Sequence, residues 1–155
     1  MVMLEADLFK GLNPQVVQEM EEIVVEESYD EGTVLFEKGE AALDFYILTK
    51  GNVELSIGED GYVTHVVKKP GEVFGWSSLV DHHVYTASAV CAESTKLQRI
   101  RNEDLVDIFQ RYPADGLLFY KHVAGIIGRR LTITYSFLLS SHGRTSRYLR
   151  RTSSY

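Results

Sequence analysis

Between about residues 28 and 100, short runs of β-forming residues alternate with glycine-bearing turns. Six runs carry this pattern: TVLFEK, DFYILTK, NVELSI, YVTHVVKK, YTASAVC and TKLQRIR. Within residues 52–57 apolar and polar residues alternate, as they do in a strand with one buried face. Many short strands at this spacing predict an antiparallel sandwich or barrel, such as a jelly roll.

Helical periodicity flanks this β section on both sides. Residues 13–27 predict an N-terminal helix, because Asn13 is a good N-cap, Pro14 suits the first helical position and one face is apolar. Residues 102–111 and about 114–140 predict two further helices. The fold class is therefore mainly β with flanking helices: a double-stranded β-helix, or jelly-roll barrel, with an N-terminal helix and a long C-terminal helix.

The long C-terminal helix carries a heptad seam. Its positions step alternately by three and four residues: Leu117, Tyr120, Ala124, Ile127, Leu131, Thr134 and Leu138. A seam of about three repeats is typical of a two-helix coiled coil, although a helix packed on its own barrel is the alternative. The pattern favours a homodimer formed through about residues 114–140.

Length and composition limit the classes of protein. The 155 residues suggest one domain, and the single Cys91 allows neither an internal disulfide nor a thiolate zinc cluster. No N-terminal stretch resembles a leader, and no apolar run approaches the ~20 residues of a membrane helix. These features predict a cytoplasmic protein without a membrane partner.

Charge is distributed unevenly along the chain. Residues 1–60 hold fifteen acidic and three basic residues, whereas residues 61–155 hold thirteen basic and seven acidic ones. The last fifteen residues contain four arginines and no acid. This segment, 141–155, is interpreted as a basic, flexible tail, and contact with nucleic acid or an acidic partner is the alternative.

A glycine-bearing motif, GEVFGWSSLVDHHVYTASAV, lies between predicted barrel strands at residues 71–90 and includes the start of the run YTASAVC. It resembles the phosphate-binding cassette of the cyclic nucleotide-binding domain family, and the phrases DFYILTKGNVELSI and KPGEVFGWSSLV extend the resemblance. The resemblance implies a regulatory β-roll over about 28–101, with C-terminal helices over 102–140, within a domain covering 1–140. The cassette frame that it assigns to ligand binding comprises Gly71, Glu72, Gly75, Ser77, Ser78, Thr86 and Ala87.

Two positions of this cassette depart from the family pattern. The resemblance implies a ribose-binding glutamate where this chain has Trp76, and a phosphate-binding arginine where it has Tyr85. Three interpretations stay open. The two aromatic side chains fill the pocket, or they line a pocket for a different small anionic ligand, or cyclic AMP or cyclic GMP binds in another pose.

The long helix adds two candidate site residues. Its run RRLTITY, residues 129–135, looks like the helix of bacterial cyclic AMP receptors, in which a threonine contacts the base. Thr134 falls at that place, and a polar seam residue is the alternative. Arg130 is expected to stack on Trp76 as a cation–π pair, with the guanidinium within about 6 Å of the ring.

No catalytic constellation stands out. Adjacent histidines in Asp81-His82-His83 lack a spaced partner, so no metal site is predicted. Too few residues follow the long helix for a helix-turn-helix, so sequence-specific DNA binding is not expected. The sequence predicts a non-catalytic regulatory or sensor module with an altered pocket. The alternative is a ligand-free structural or adaptor module, filled by Trp76 and Tyr85, with a protein partner.

Overall fold

The structure, a computed structural model, describes residues 7–80 and 83–152, the last twelve as helix backbone. The predicted mainly β fold with flanking helices is confirmed. A 3-10 turn at Asp7–Phe9 leads into helix α1 at Pro14–Ile23, where the Asn13 side chain accepts a bond from the Gln15 amide at 2.9 Å. Asp81 and His82, part of the histidine run considered above, lie outside the described residues.

Eight strands follow in the described part of the chain, paired into two antiparallel four-stranded sheets. The first sheet has the order β1-β8-β3-β6 and the second the order β2-β7-β4-β5. The bounds are Val25–Tyr29 (β1), Val34–Phe36 (β2), Asp44–Lys50 (β3), Val53–Ser56 (β4), Val63–Val67 (β5), Val73–Phe74 (β6), Ser88–Cys91 (β7) and Thr95–Arg101 (β8).

Two helices close the fold: α2 at Asn102–Arg111 and α3 at Pro113–Thr152. Two apolar clusters result. One lies between the first sheet and the helices and includes Phe45, Ile100 and Phe119. The other lies inside the roll and includes Phe36 and Tyr85. The second cluster occupies the part of the fold where the cassette meets the barrel strands.

The structure corrects three details of the predicted elements. The helix expected over 13–27 ends at Ile23, because the chain then pairs as β1 with β8, with Val25 opposite Arg99. The short strand β6 was not predicted. The long helix was expected to end near 140 and to be followed by a flexible tail at 141–155, yet its backbone continues as helix to Thr152.

Helix α3 has two differently surrounded halves. Phe119 and Val123 are buried in the helix-side cluster, and Tyr120 packs edge-on to Phe109 and Phe119. Residues 131–140 are all exposed. Most of the apolar seam is also open in a single chain: Leu117, Ile127, Leu131 and Leu138 are 75, 36, 49 and 58% exposed.

Candidate functional site

The cassette backbone forms the tight turn that its glycines predict. Gly75 has a left-handed φ of 81° and begins a 3-10 turn at Trp76–Ser78. A Cβ at Gly75 would lie 3.2 Å from the Asp44 carbonyl oxygen, so the turn needs glycine for space as well as for φ. The Ser78 hydroxyl donates to the Gly75 carbonyl at 3.0 Å, which engages it within the turn.

Tyr85 is part of the barrel core. Its side chain is 4% exposed, and its ring stacks on Phe36 with centroids 3.8 Å apart. The phenol donates to the Asp44 carbonyl at 2.6 Å and accepts from the Asp44 amide at 3.2 Å. Burial raises the pKa of this phenol. The residue that stands in place of the family's arginine is therefore a neutral, fully engaged core side chain.

Trp76 lies under the guanidinium of Arg130. The Cζ atom of Arg130 is 5.0 Å from the centre of the Trp76 ring, which confirms the predicted cation–π contact. The ring is half-buried, and its Nε1–H is buried without an acceptor among the residues that the structure describes. Trp76 thus ties the cassette to helix α3 with an apolar surface and leaves one donor free.

The space left between these groups is small. A cavity of about 60 Å³ lies between Phe36, Leu55 and the cassette segments 75–77 and 85–87. A cavity of this size has room for only a few water molecules. Pockets that bind drug-sized molecules have roughly 300–1,000 Å³. In this conformation the cassette pocket is filled by its own aromatic side chains.

Glu72 is engaged outside that cavity. Its carboxylate lies 2.7 Å from His65 Nε2 and accepts from the amides of Lys68 and Lys69 at 3.2 and 3.3 Å. Partial burial alone would raise the pKa of Glu72, but the bonds from His65 and the two amides outweigh it and lower the pKa. Glu72 therefore holds the turn before β6 as a charged carboxylate.

Arg130 joins this cluster from the long helix. Its Nη2 donates to the Val73 carbonyl at 3.1 Å and to Glu72 at 3.4 Å. Burial lowers the pKa of Arg130, although Glu72 opposes the shift. The guanidinium stays charged, because an arginine is effectively always protonated. Arg130 consequently connects helix α3 to both ends of the segment from Glu72 to Trp76.

The predicted site residues do not all line one space. Thr134 is exposed, and its hydroxyl donates to the Arg130 carbonyl of the same helix at 2.9 Å. It does not line the cavity beside the cassette. Thr134 is thus a helix-surface residue in this structure. The small cavity is lined by one group of the predicted residues: Gly75, Trp76, Ser77, Tyr85, Thr86 and Ala87. Three others, Gly71, Glu72 and Arg130, line a separate cleft beside α3.

Sequence reasoning missed two residues that shape the pocket. Phe36 supplies the stacking face for Tyr85, and Asp44 supplies both backbone partners of its phenol. The Asp44 carboxylate is itself held by Arg101 at 2.7 Å. Nothing in the strand run TVLFEK marks Phe36 as different from any other barrel residue, so no sequence signal could have found it.

A family model described as the cyclic nucleotide-binding domain matches residues 26–112. This span contains the whole cassette and all eight strands except the first residue of β1. The chain belongs to the cyclic nucleotide-binding domain family. Its membership places it among regulatory, sensor-type domains, which are generally not catalytic.

The relatives include receptors and channels. The cyclic AMP receptor protein of Thermus thermophilus is 32% identical over 126 residues, which is 80% of this chain and 56% of the receptor. The human cyclic nucleotide-gated channel beta-3 is 30% identical over 72% of this chain. The chain spans about half the length of the receptor and 14% of the channel.

Solved structures agree on the fold. The catabolite activator protein of Thermus thermophilus superposes with a TM-score of 0.69 at 30% identity, over 84% of this chain and 61% of that one. The N-terminal domain of a Streptomyces coelicolor A3(2) transcriptional regulator gives 0.70 at 26% identity, over 83% and 94%. Among the described helices of the present chain, none has the length and apolarity required to cross a bilayer.

Proposed function

We propose that this domain is a regulatory module whose cassette pocket is closed to cyclic nucleotides and whose output is helix α3. The observation that carries the proposal is the placement of Tyr85, stacked on Phe36 and bonded to the Asp44 backbone. The residual cavity of about 60 Å³ supports the same conclusion. The cytoplasmic location expected from the sequence stays a prediction.

Opening the pocket would be costly. Displacing Tyr85 gives up an aromatic stack worth about 0.5–1.5 kcal/mol and two hydrogen bonds of about 1 kcal/mol each. The phosphate would then meet no arginine from the cassette, which forfeits about 1.5–3 kcal/mol of charge-assisted bonding. Together these terms correspond to roughly three to five decades in affinity for cyclic AMP.

A small ligand in an altered pocket is the second candidate function. It is favoured by the Nε1–H of Trp76, which is buried without an acceptor among the described residues. A ligand oxygen that reached this donor would satisfy it, because an unpaired buried donor is itself costly. Such a ligand has to displace Tyr85, or be small enough for the present cavity.

Calorimetric titration with cyclic AMP and cyclic GMP tests the closed pocket. We expect no binding heat up to about 1 mM ligand, which corresponds to a binding free energy weaker than about −4 kcal/mol. The double variant W76E/Y85R restores both charges of the family pattern and should gain affinity. Tyr85→Phe is the control, since it keeps the ring and adds no charge. A micromolar Kd for the natural chain would overturn the proposal.

The output that we propose is a homodimer through α3. The exposed seam residues Leu117, Leu131 and Leu138 support it, because large apolar side chains at heptad spacing gain stability by pairing with a second helix. Sedimentation equilibrium should show a dimer that Leu131→Glu dissociates. Thr132→Glu introduces the same side chain beside the seam and should leave the dimer intact. If the natural chain is monomeric at ~100 μM, the proposed homodimer is refuted.

A further inference from the structure

A second, larger cleft lies beside the long helix. It has a volume of about 460 Å³ and lies between α3, the turn before β6 and the 3-10 turn at Asp7–Phe9. Its size falls in the range of roughly 300–1,000 Å³ that small-molecule pockets occupy. No residue lines both this cleft and the 60 Å³ cavity of the cassette. The cleft is therefore a separate space, which the filled cassette does not close.

One part of the cleft surface is apolar. Side chains from three different elements contribute to it: Leu8, Val73, Ile126 and Ile133. Leu8 and Val73 belong to the apolar cluster between the first sheet and the helices and are 1 and 4% exposed. Packed residues therefore hold this surface in place. An apolar surface with a few convergent polar groups is the usual composition of a ligand site.

The charged groups of the cleft are mostly cations. Lys69, Arg129 and Arg130 line it together with two carboxylates, Asp7 and Glu72. Neither Lys69 nor Arg129 forms an ion pair within the part of the chain that the structure describes. This local excess of cations occurs in a chain whose formal net charge is −6.

The carboxylate of Glu72 is occupied by its own partners. One oxygen lies near His65 and Arg130, and the other accepts from the amides of Lys68 and Lys69. A carboxylate so engaged has little capacity left for a second cation. Arg130 uses Nη2 for Glu72 and Val73, while its Nε–H and Nη1–H groups have no acceptor among the described residues.

We infer that this cleft binds a small organic anion, with a phosphate or carboxylate held by Lys69, Arg129 and Arg130 and an apolar body on the surface formed by Ile126 and Ile133. Two guanidinium groups suit a planar or tetrahedral oxyanion, because each presents N–H donors in a fixed fork. An ammonium adds a third, more flexible donor.

Such a ligand would connect the output helix to the β-roll. Arg129, Arg130 and Ile133 belong to α3, whereas Lys69 and Val73 belong to the barrel side. A ligand that binds both favours the conformation in which α3 is docked. Because Arg130 also covers the Trp76 ring, occupancy should change the environment of the single tryptophan. The inference goes beyond the closed cassette, which needs no ligand for its state.

Three probes separate the contributions of anion and apolar body. Inorganic phosphate, phenyl phosphate and octanoate are each titrated into the full chain, followed by Trp76 fluorescence and calorimetry. Phenyl phosphate or octanoate should bind at least about tenfold more tightly than inorganic phosphate, because only they use the apolar surface. Whichever of phenyl phosphate and octanoate binds more tightly shows whether the cleft prefers a phosphate or a carboxylate. Affinity should fall with added salt.

Matched charge variants locate the binding. The double variant K69Q/R129Q should weaken the better probe by about tenfold or more, since each lost charge removes a charge-assisted bond. K50Q/K96Q removes two charges from exposed strand positions outside the cleft and should leave affinity unchanged. No binding of any probe up to about 10 mM, or equal loss in both double variants, overturns the inference.

The same variants separate this inference from the closed cassette. Cyclic AMP is titrated into the natural chain and into K69Q/R129Q. Binding of cyclic AMP that survives K69Q/R129Q would refute the closed cassette while leaving the cleft untouched. Binding of phenyl phosphate without any response to cyclic AMP supports both. A probe affinity that falls as the dimer forms would mean that a second copy covers the cleft, and would overturn the ligand assignment.

Discussion

The cassette pocket and the cleft beside α3 lie on either side of the same short segment, Glu72 to Trp76, and differ in what occupies them. The pocket has a retained backbone turn, but its polar positions carry Trp76 and Tyr85, and about 60 Å³ remains. The cleft is lined by the first turn of the cassette frame, at Gly71 and Glu72, and it has three cations and about 460 Å³. The cassette pocket has the Gly75 turn but no charged side chain in its lining, whereas the cleft has charged side chains but lies outside that turn.

This difference separates the tight backbone turn from ligand recognition, two properties that usually occur together. A tight turn at Gly75 is required by the fold, because β3 and β6 approach there and a Cβ would meet the Asp44 carbonyl. Ligand recognition is a property of a few side chains on that frame. Those side chains can change to core residues without disturbing the barrel, as Tyr85 does by joining the cluster around Phe36.

Among the changes that test this contrast, the removal of Phe36, the stacking partner of Tyr85, should have the largest effect on stability. Phe36→Ala deletes a 4%-exposed ring that contacts Tyr46, Phe74 and Tyr85. Replacement of a buried Phe by Ala costs about 3–5 kcal/mol, so urea unfolding should show a loss of that size. Leu35→Ala, a partly buried neighbour on β2, should cost less.

The same variant tests whether the cassette is closed by packing alone. If it is, Phe36→Ala should enlarge the cavity, and small apolar probes such as benzene should stabilise the variant but not the natural chain. A loss below about 1 kcal/mol would mean that the stack with Tyr85 is not part of a close-packed core.

The fold was predictable because its signals are local. The runs DFYILTK and TKLQRIR coincide with β3 and β8, since both have a β-forming composition, and Gly51 directly follows the first run. The end of α1 was not predictable in the same way. VVEES continues an acidic, helix-like pattern, and only its pairing with β8, about 70 residues later, makes it a strand.

The site was predictable in its frame and in one contact. Gly75 and the Arg130–Trp76 pair follow from the family pattern, because both depend on positions that the pattern fixes. The partners of Tyr85 and the cleft do not, because they arise where segments distant in sequence meet. Lys69 and Arg129, for example, are sixty residues apart and have no shared motif.

Neutralising Glu72 should lower the free energy of unfolding by an intermediate amount, and this amount should depend on pH. Because the pKa of Glu72 lies below its usual 4.5, its ionised form contributes stability above that pH, and the contribution is lost as the pH falls through the lowered pKa. Glu72→Gln should therefore destabilise the chain by about 1–3 kcal/mol near pH 7 and by less below about pH 4. Urea unfolding at both pH values measures the difference.

An exposed carboxylate provides the control for that measurement. Glu59→Gln removes the same charge from an exposed turn, and its effect should stay within about 0.5 kcal/mol at either pH. If the Glu72→Gln effect were the same at pH 7 and at about pH 3.5, the ionised carboxylate would not be what holds the turn before β6.

The smallest effect is expected where the two sites meet, at the contact between Arg130 and Trp76. Arg130→Met keeps the length and apolar stem of the side chain, and Trp76→Leu removes the ring beneath it. A double-mutant cycle of these changes should give a coupling of about 0.5–1 kcal/mol in unfolding free energy, since the guanidinium is only partly buried. The bond from Arg130 to the Val73 carbonyl is lost in both arms of the cycle and cancels. Arg130→Met should also shift the emission of the single tryptophan. A coupling near zero with unchanged emission would mean that the filled pocket and the cationic cleft are neighbours without communication, and that a ligand in the cleft would act on α3 directly.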